Sequence, residues 1–174
     1  MVPVNTWGPF YDKLRFYLGY KAMQIWIDGD ACPKAIKEIL FRAAIRKQTY
    51  LIVVSNHYVP TPLSPLIKKY QVSQGFDVAD KYILDNMNSG DLVITADIPL
   101  ADATITRGGF ALNPRGEVYS TQNIKQHLAM RNLNESLRGC NLLTGGPAKL
   151  GQKEVREFAK SLDKLMAKII RDVP

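Results

Sequence analysis

Apolar positions along this chain alternate between short unbroken runs and longer stretches at helical spacing. Ile25-Trp26-Ile27 reads as a buried strand. Pro33–Arg46 follows with Ile36, Ile39, Leu40 and Ala43 on one helical face. Tyr50–Val54 is a continuous apolar run, as expected of a strand covered on both faces. Val59–Pro65 holds three prolines and reads as a loop, and Tyr70–Ser73 as a weak strand. Val78–Met87 places Ala79, Ile83 and Met87 at helical spacing, and Leu92–Thr95 is a further buried strand. Pro99–Arg107 reads as a helix closed by Gly108-Gly109, Phe110–Leu112 as a short strand and Asn113-Pro114-Arg115-Gly116 as a turn. Gln122–Arg138 is a long helix with Ser120 or Thr121 as its cap. After a Gly-rich loop, Thr144-Gly145-Gly146-Pro147, Val155, Phe158, Leu162, Leu165 and Ile169 mark a last amphipathic helix. Strands alternating with helices predict an α/β fold with a mostly parallel sheet and right-handed crossovers.

Composition narrows the picture. With 174 residues, 46% of them hydrophobic, the chain is long enough for one well-buried domain. Residues 1–22 read differently from the rest, as an N-terminal extension with a short helix at Tyr11–Tyr20; residues 23–174 read as the domain. The net charge of +7 favours polyanionic partners, but it is spread along the chain without a Lys/Arg run. Cys32 and Cys140 form neither a disulfide framework nor a C-x-x-C pair, so a reducing cytoplasm is expected. Cys32 reads as a small buried residue rather than a nucleophile. No apolar run approaches the roughly 20 residues of a membrane span.

Chemistry enters through the acids. The first strand ends in Asp28-Gly29-Asp30, and Asp97 follows the Leu92–Thr95 strand in the same way. Each feeds a helix with a proline at its start. The carboxyl ends of strands are where open α/β sheets bind ligands. Carboxylates gathered there repel one another unless a cation sits between them, and hard Mg²⁺ or Mn²⁺ prefers such oxygens. A strand-end turn with one Asp capping the helix is the competing account. Asp77 and Asp80 lie three apart at another helix start, where Asp77 reads as an N-cap. Asp91 precedes its strand and belongs at the opposite edge of the sheet.

The segments IWIDGDACPKAIKEILFRAA, GFDVADKYI, GDLVITADIPLA, ALNPRGEVYS and TGGP occur in order, and with them the chain resembles the YaiI/YqxD family of small bacterial proteins from Met23 to about Phe158. That family commonly has Asp-Ala-Asp where this chain has Asp28-Gly29-Asp30. The resemblance implies a PIN-like, three-layer α/β/α sandwich with a five-stranded sheet in the order 3-2-1-4-5. It would bring Asp28, Asp30 and Asp97 together at the switch point, with Asp80 as a fourth oxygen donor. The implied activity is that of a nuclease using Mg²⁺ or Mn²⁺ held by these four acids, and the implied partner is nucleic acid, RNA ahead of DNA. Lys34, Arg115 and Arg131 are the cations available to meet substrate phosphates, against the plainer account of each as a solvated surface charge.

Two other readings compete. Asp28-x-Asp30 after a strand also fits a phosphatase of the haloacid dehalogenase type, with Asp28 as nucleophile and Asp30 as acid/base. Against it, Gly90-Asp91 precedes a hydrophobic strand where that class has its Gly-Asp after one. The third reading is a PIN-like RNA- or protein-binding module without activity. Gly146 to Gly151 misses the P-loop lysine position, Gly-x-Ser-x-Gly is absent, and two histidines with two unclustered cysteines do not suggest zinc.

Overall fold

The computed structural model describes residues 22–142, 145–146 and 148–171. The N-terminal extension lies outside the described residues except for Ala22, as do Thr144 and Pro147 of the Gly-rich loop.

In chain order the elements are β1 (Gln24–Asp28), α1 (Lys34–Lys47), β2 (Tyr50–Ser55), β3 (Ile67–Gln71), α2 (Val78–Asn86) and β4 (Leu92–Ile94). They continue with α3 (Ile98–Thr106), β5 (Phe110–Leu112), β6 (Val118–Tyr119), α4 (Ile124–Gly139) and α5 (Gln152–Arg171). The sheet runs β3-β2-β1-β4-β5-β6. Its first five strands are parallel, in the expected order, and β6 adds an antiparallel sixth strand to the five read from the sequence. Such a two-residue strand is too short to leave a period in the chain. It forms because the turn at Asn113–Gly116 folds Val118 and Tyr119 back beside Leu112 and Ala111.

Successive residues of a strand face opposite sides of a sheet, and here both sides are covered. Ile25, Ile27, Leu51, Val53, Leu92 and Ile94 pack under α1 and α5, where Phe158, Leu162 and Met166 are fully buried. Trp26, Ile52, Val54 and Val93 face the other way, against Ile83 of α2 and Leu100 of α3. This is the three-layer arrangement, and it explains why β1, β2 and β4 read as unbroken apolar runs. β3 differs: only Ile67 is buried, because it is an edge strand, and its register with β2 starts three residues before the predicted Tyr70. None of the described helices is long and apolar enough to cross a membrane.

The Asn113–Gly116 turn locks onto α5. Gly116 has φ +95°, and a Cβ there would sit 2.7 Å from the Glu157 carbonyl carbon and 2.8 Å from the Phe158 nitrogen. Only glycine allows that approach. Ser161 donates its hydroxyl to the Gly116 carbonyl at 2.6 Å.

Candidate functional site at the carboxyl edge

β1 and β4 are hydrogen-bonded neighbours, and the chain order reverses between them. Asp28 ends β1, and Asp97 stands three residues beyond the end of β4. Both therefore occupy the same edge at the topological switch point, where open α/β sheets bind ligands.

Asp28 is half-buried, and its Oδ1 accepts the Asp30 N–H at 2.9 Å and the Ala31 N–H at 3.1 Å. The turn-capping account is thus realised on one oxygen, and Oδ2 has no partner among the described residues. The turn is tight. Gly29 donates to the Val54 carbonyl at 2.7 Å, and a Cβ on it would come within 2.7 Å of Val53 Cγ1. Lys37 donates its ammonium to the Gly29 carbonyl at 2.7 Å, so a cation one turn into α1 holds the acidic turn from below. Lys34, expected from the sequence to meet substrate phosphates, is exposed at the start of the helix. Lys37 was missed because its role depends on the long side chain lying back along the helix toward the strand end.

Asp97 is the N-cap of α3: its Oδ1 accepts the Leu100 N–H at 2.8 Å, and its own N–H donates to Thr95 Oγ1 at 2.9 Å. Asp80, in the first turn of α2, is half-buried. Burial, then the neighbouring charges of Asp97, Asp28 and Asp77, push its carboxyl pKa up to about 6. Asp28, Asp80 and Asp97 thus share one electrostatic neighbourhood.

Asp30 turns away from them. Its Oδ2 accepts the Asn56 N–H at 2.7 Å, and its Oδ1 lies 3.2 Å from His57 Nδ1. The acid ties β1 to the loop after β2, a link no sequence spacing announces. Asp77 is at the N-cap position of α2, but its side chain makes no capping bond, and its φ of 57° is left-handed. The capping role expected for it is not realised.

Two of the three cations expected to meet phosphates, Arg115 and Arg131, have other partners. The Arg115 guanidinium donates to the Ala148 carbonyl and lies 4.0 Å from Glu154, tying the Asn113–Gly116 turn to the segment before α5. Arg131 pairs with Glu135 one turn along α4 at 2.9 Å. It also lines an open cleft of about 310 Å³ with Ile98, His127, Met130 and Arg138, and Ile98 is the residue after Asp97. Between cleft and acids stands Tyr119, whose hydroxyl accepts from Asn113 Nδ2 at 2.6 Å. Burial chiefly, and to a lesser extent the charges of Glu117 and Asp97, raise the Tyr119 pKa. Its ring meets His127 edge-on at 5.3 Å.

Cys32, buried under the acidic turn, has its thiol pKa pushed up to about 12 by burial, with Lys37 opposing and Asp28 adding to the rise. It is the inert packing residue that the sequence suggested.

The donors at this edge are carboxylate oxygens, which suit Mg²⁺ or Mn²⁺. Among the described residues no group of three or more His, Cys, Asp or Glu side chains is already gathered closely enough to hold a metal ion. Asp28, Asp80 and Asp97 match such an ion in donor chemistry alone, and would have to draw together to hold one.

Comparison with known proteins bears on this edge as a whole. The chain is 53% identical over 147 residues to a UPF0178 protein of Dechloromonas aromatica, covering 84% of this chain and 98% of the relative. It is 50% identical over 151 residues to a UPF0178 protein of Maridesulfovibrio salexigens, covering 87% of this chain and all of the relative. A UPF0178 protein of Legionella pneumophila is 54% identical over 146 residues, covering 84% of this chain and 99% of the relative. No solved structure matches. The family model described as "Uncharacterized BCR, YaiI/YqxD family" matches residues 26–168, a span that contains every acid of the edge, and the chain belongs to that family.

Proposed function

We propose that this protein is a nuclease, a divalent-metal-dependent hydrolase of phosphodiesters that acts on RNA ahead of DNA. The observation that carries the reading is the placement of Asp28 and Asp97 at the ends of two adjacent parallel strands where the strand order reverses. The coupling of Asp80 to both supports it.

Asp28, Asp80 and Asp97 would hold Mg²⁺ or Mn²⁺. When bound, such an ion supplies charge neutralisation at the edge and lowers the pKa of water. The chain's own residues do the rest. Asp28 and Asp97 are each fixed through one oxygen by backbone N–H groups, so their second oxygens are presented from rigid strand and helix ends. Asp80, with its carboxyl raised to about 6 by burial and by the neighbouring acids, is the acid whose ionised form a bound cation would stabilise most. Lys37 offsets the negative charge beneath the Asp28 turn through its contact with the Gly29 carbonyl.

The test is cleavage of labelled single- and double-stranded RNA and DNA with Mn²⁺ or Mg²⁺, beside an Asp28→Asn variant and a small phosphomonoester. Metal-dependent cleavage lost in Asp28→Asn, with negligible monoester turnover, is the expected result. Monoester hydrolysis with a trapped phosphoryl group on Asp28 would instead make the protein a phosphatase. Absence of both activities with salt-sensitive nucleic-acid binding retained would make it a binding module.

A further inference from the structure

The acidic edge has an aromatic flank. β2 and β3 run parallel beside β1, so the loops leaving them emerge at the same edge as Asp28. The loop after β2 carries Asn56 and His57, which hold Asp30, and then Tyr58, which is 79% exposed. The loop after β3 leads through Gly75 to Phe76, 94% exposed, and then to Asp77 and α2 with Asp80. The two loops are joined: Val72 donates to the Ser55 carbonyl at 2.9 Å, and Gln71 Nε2 to the Asn56 carbonyl at 3.3 Å. Both rings are thus exposed to water, Tyr58 on a loop tied to Asp30 and Phe76 in the segment that leads into α2.

Leaving a Phe ring in water forgoes the free energy of burying it. This fold buries Trp26, Phe41, Tyr119 and Phe158 and leaves Phe76 outside at the edge. Charge accompanies the rings. Lys69 Nζ lies 5.0 Å from the centre of the Tyr58 ring. A row of carboxylates repels a phosphate backbone, so a nucleic acid that reaches this edge needs a grip that does not depend on the charge of the acids. Stacking of bases on aromatic faces is such a grip, and a lysine beside a ring suits the phosphates between the bases. Stacking needs a free base face, which a duplex covers with neighbouring base pairs.

Building on the nuclease reading, we infer that Phe76 and Tyr58 are base-stacking subsites beside the acidic edge, and that they take an unpaired nucleic-acid strand with its phosphates toward Lys69. Phe76, four residues before Asp80, seats a base next to the acids, and Tyr58 seats another on the far side of Asp30.

The test is fluorescence anisotropy in EDTA with a labelled single-stranded RNA dodecamer, an abasic strand of the same length and charge, and the corresponding duplex. Wild type, Phe76→Ala, Tyr58→Ala and Phe76→Trp are compared after thermal melting confirms that each is folded. Wild type is expected to bind the unpaired strand more tightly than the abasic strand or the duplex. Each alanine should weaken binding of the unpaired strand about tenfold and leave the abasic strand unaffected, while Phe76→Trp retains wild-type affinity. Unpaired strand bound equally by wild type and both alanine variants would overturn the stacking subsites while leaving the nuclease reading intact. No binding of any of the three ligands would overturn the stacking subsites, while the nuclease reading rests on the cleavage assay with metal. Self-association of the wild type that is lost in the alanine variants would make the patch an interface between copies, and would also overturn the inference.

Discussion

The indole Nε1 of Trp26 donates to Asp91 Oδ2 at 2.9 Å, in the interior at the amino end of the sheet. Asp91 is only 2% exposed, and it also accepts the Gln24 N–H at 3.0 Å and the Asn88 N–H at 2.8 Å. The sheet therefore carries carboxylates at both edges with opposite logic. At the amino edge one acid is satisfied by N–H donors that pin β1 to β4. At the carboxyl edge Asp28 and Asp97 each engage backbone N–H groups through one oxygen, and their charges bear on Asp80.

That contrast gives a stability prediction. Asp91→Ala leaves the buried indole N–H and two backbone N–H groups without their acceptor, and it should cost about 3 kcal/mol. Urea denaturation measures it. Trp26→Phe in the same chain removes one of the orphaned donors, so the double variant should lose less than the sum of the two single losses. Additive losses would mean that the Trp26–Asp91 contact contributes nothing of its own.

Asp80 gives a prediction with a pH sign. Its folded carboxyl titrates at about 6, above the ordinary value of 3.8. Between those values the folded state holds a proton that the unfolded chain has released, so stability falls as pH rises through this window, and the penalty is complete above about pH 6. Asp80→Asn removes the penalty. In metal-free buffer the variant should be more stable than wild type at pH 8, by on the order of 1 kcal/mol once solvent screening is discounted, or about 2–4 °C in Tm. The difference should vanish near pH 4. A difference independent of pH would place its origin elsewhere.

What the chain made legible follows from where burial is two-sided. Ile25–Ile27, Tyr50–Val54 and Leu92–Thr95 read as strands because both faces are covered, and the acids after the first and third could be placed at an edge from that alone. β3 was poorly legible because its Lys68, Lys69 and Tyr70 face solvent, which leaves no apolar period. β6 owes its existence to a turn docked on α5, a contact 45 residues away in sequence for Ser161 and Gly116. At that edge, Asp28 and Asp97 could be placed because strand ends are local signals, and Asp80 was drawn in by the family resemblance. The diversion of Asp30 to His57 and Asn56, the grip of Lys37 on Gly29 and the approach of Tyr119 to Asp97 are products of tertiary packing, which no spacing encodes.

The two cysteines should separate cleanly by reactivity. Only the thiolate attacks a disulfide reagent. With its pKa at about 12, buried Cys32 is almost wholly protonated at pH 8, while Cys140 is exposed. A colorimetric thiol titration of the native protein should find one fast thiol, and a second only after denaturation. Substituting Cys140→Ser should abolish the fast phase. Two fast thiols in the native state would mean that the turn above Cys32 opens readily.

The carboxyl edge itself is tested most directly by heat. A ligand that binds only the native state raises its stability by mass action, so Mn²⁺ should raise the Tm of the wild type in a concentration-dependent way. Asp97→Asn is the informative variant, because asparagine keeps the N-cap to Leu100 and so leaves α3 in place while removing one charge. Its Tm without metal should stay within about 2 °C of wild type, and its Mn²⁺-induced rise should be clearly smaller. Asp30→Asn separates the acids further. Its carboxylate is engaged by Asn56 and His57 rather than by the other acids, so the Mn²⁺ response should be largely retained while the loop after β2 loosens. Equal Mn²⁺ shifts in wild type and Asp97→Asn would remove the metal from this edge. A response lost in Asp30→Asn but kept in Asp97→Asn would move the ion to the turn between β1 and α1.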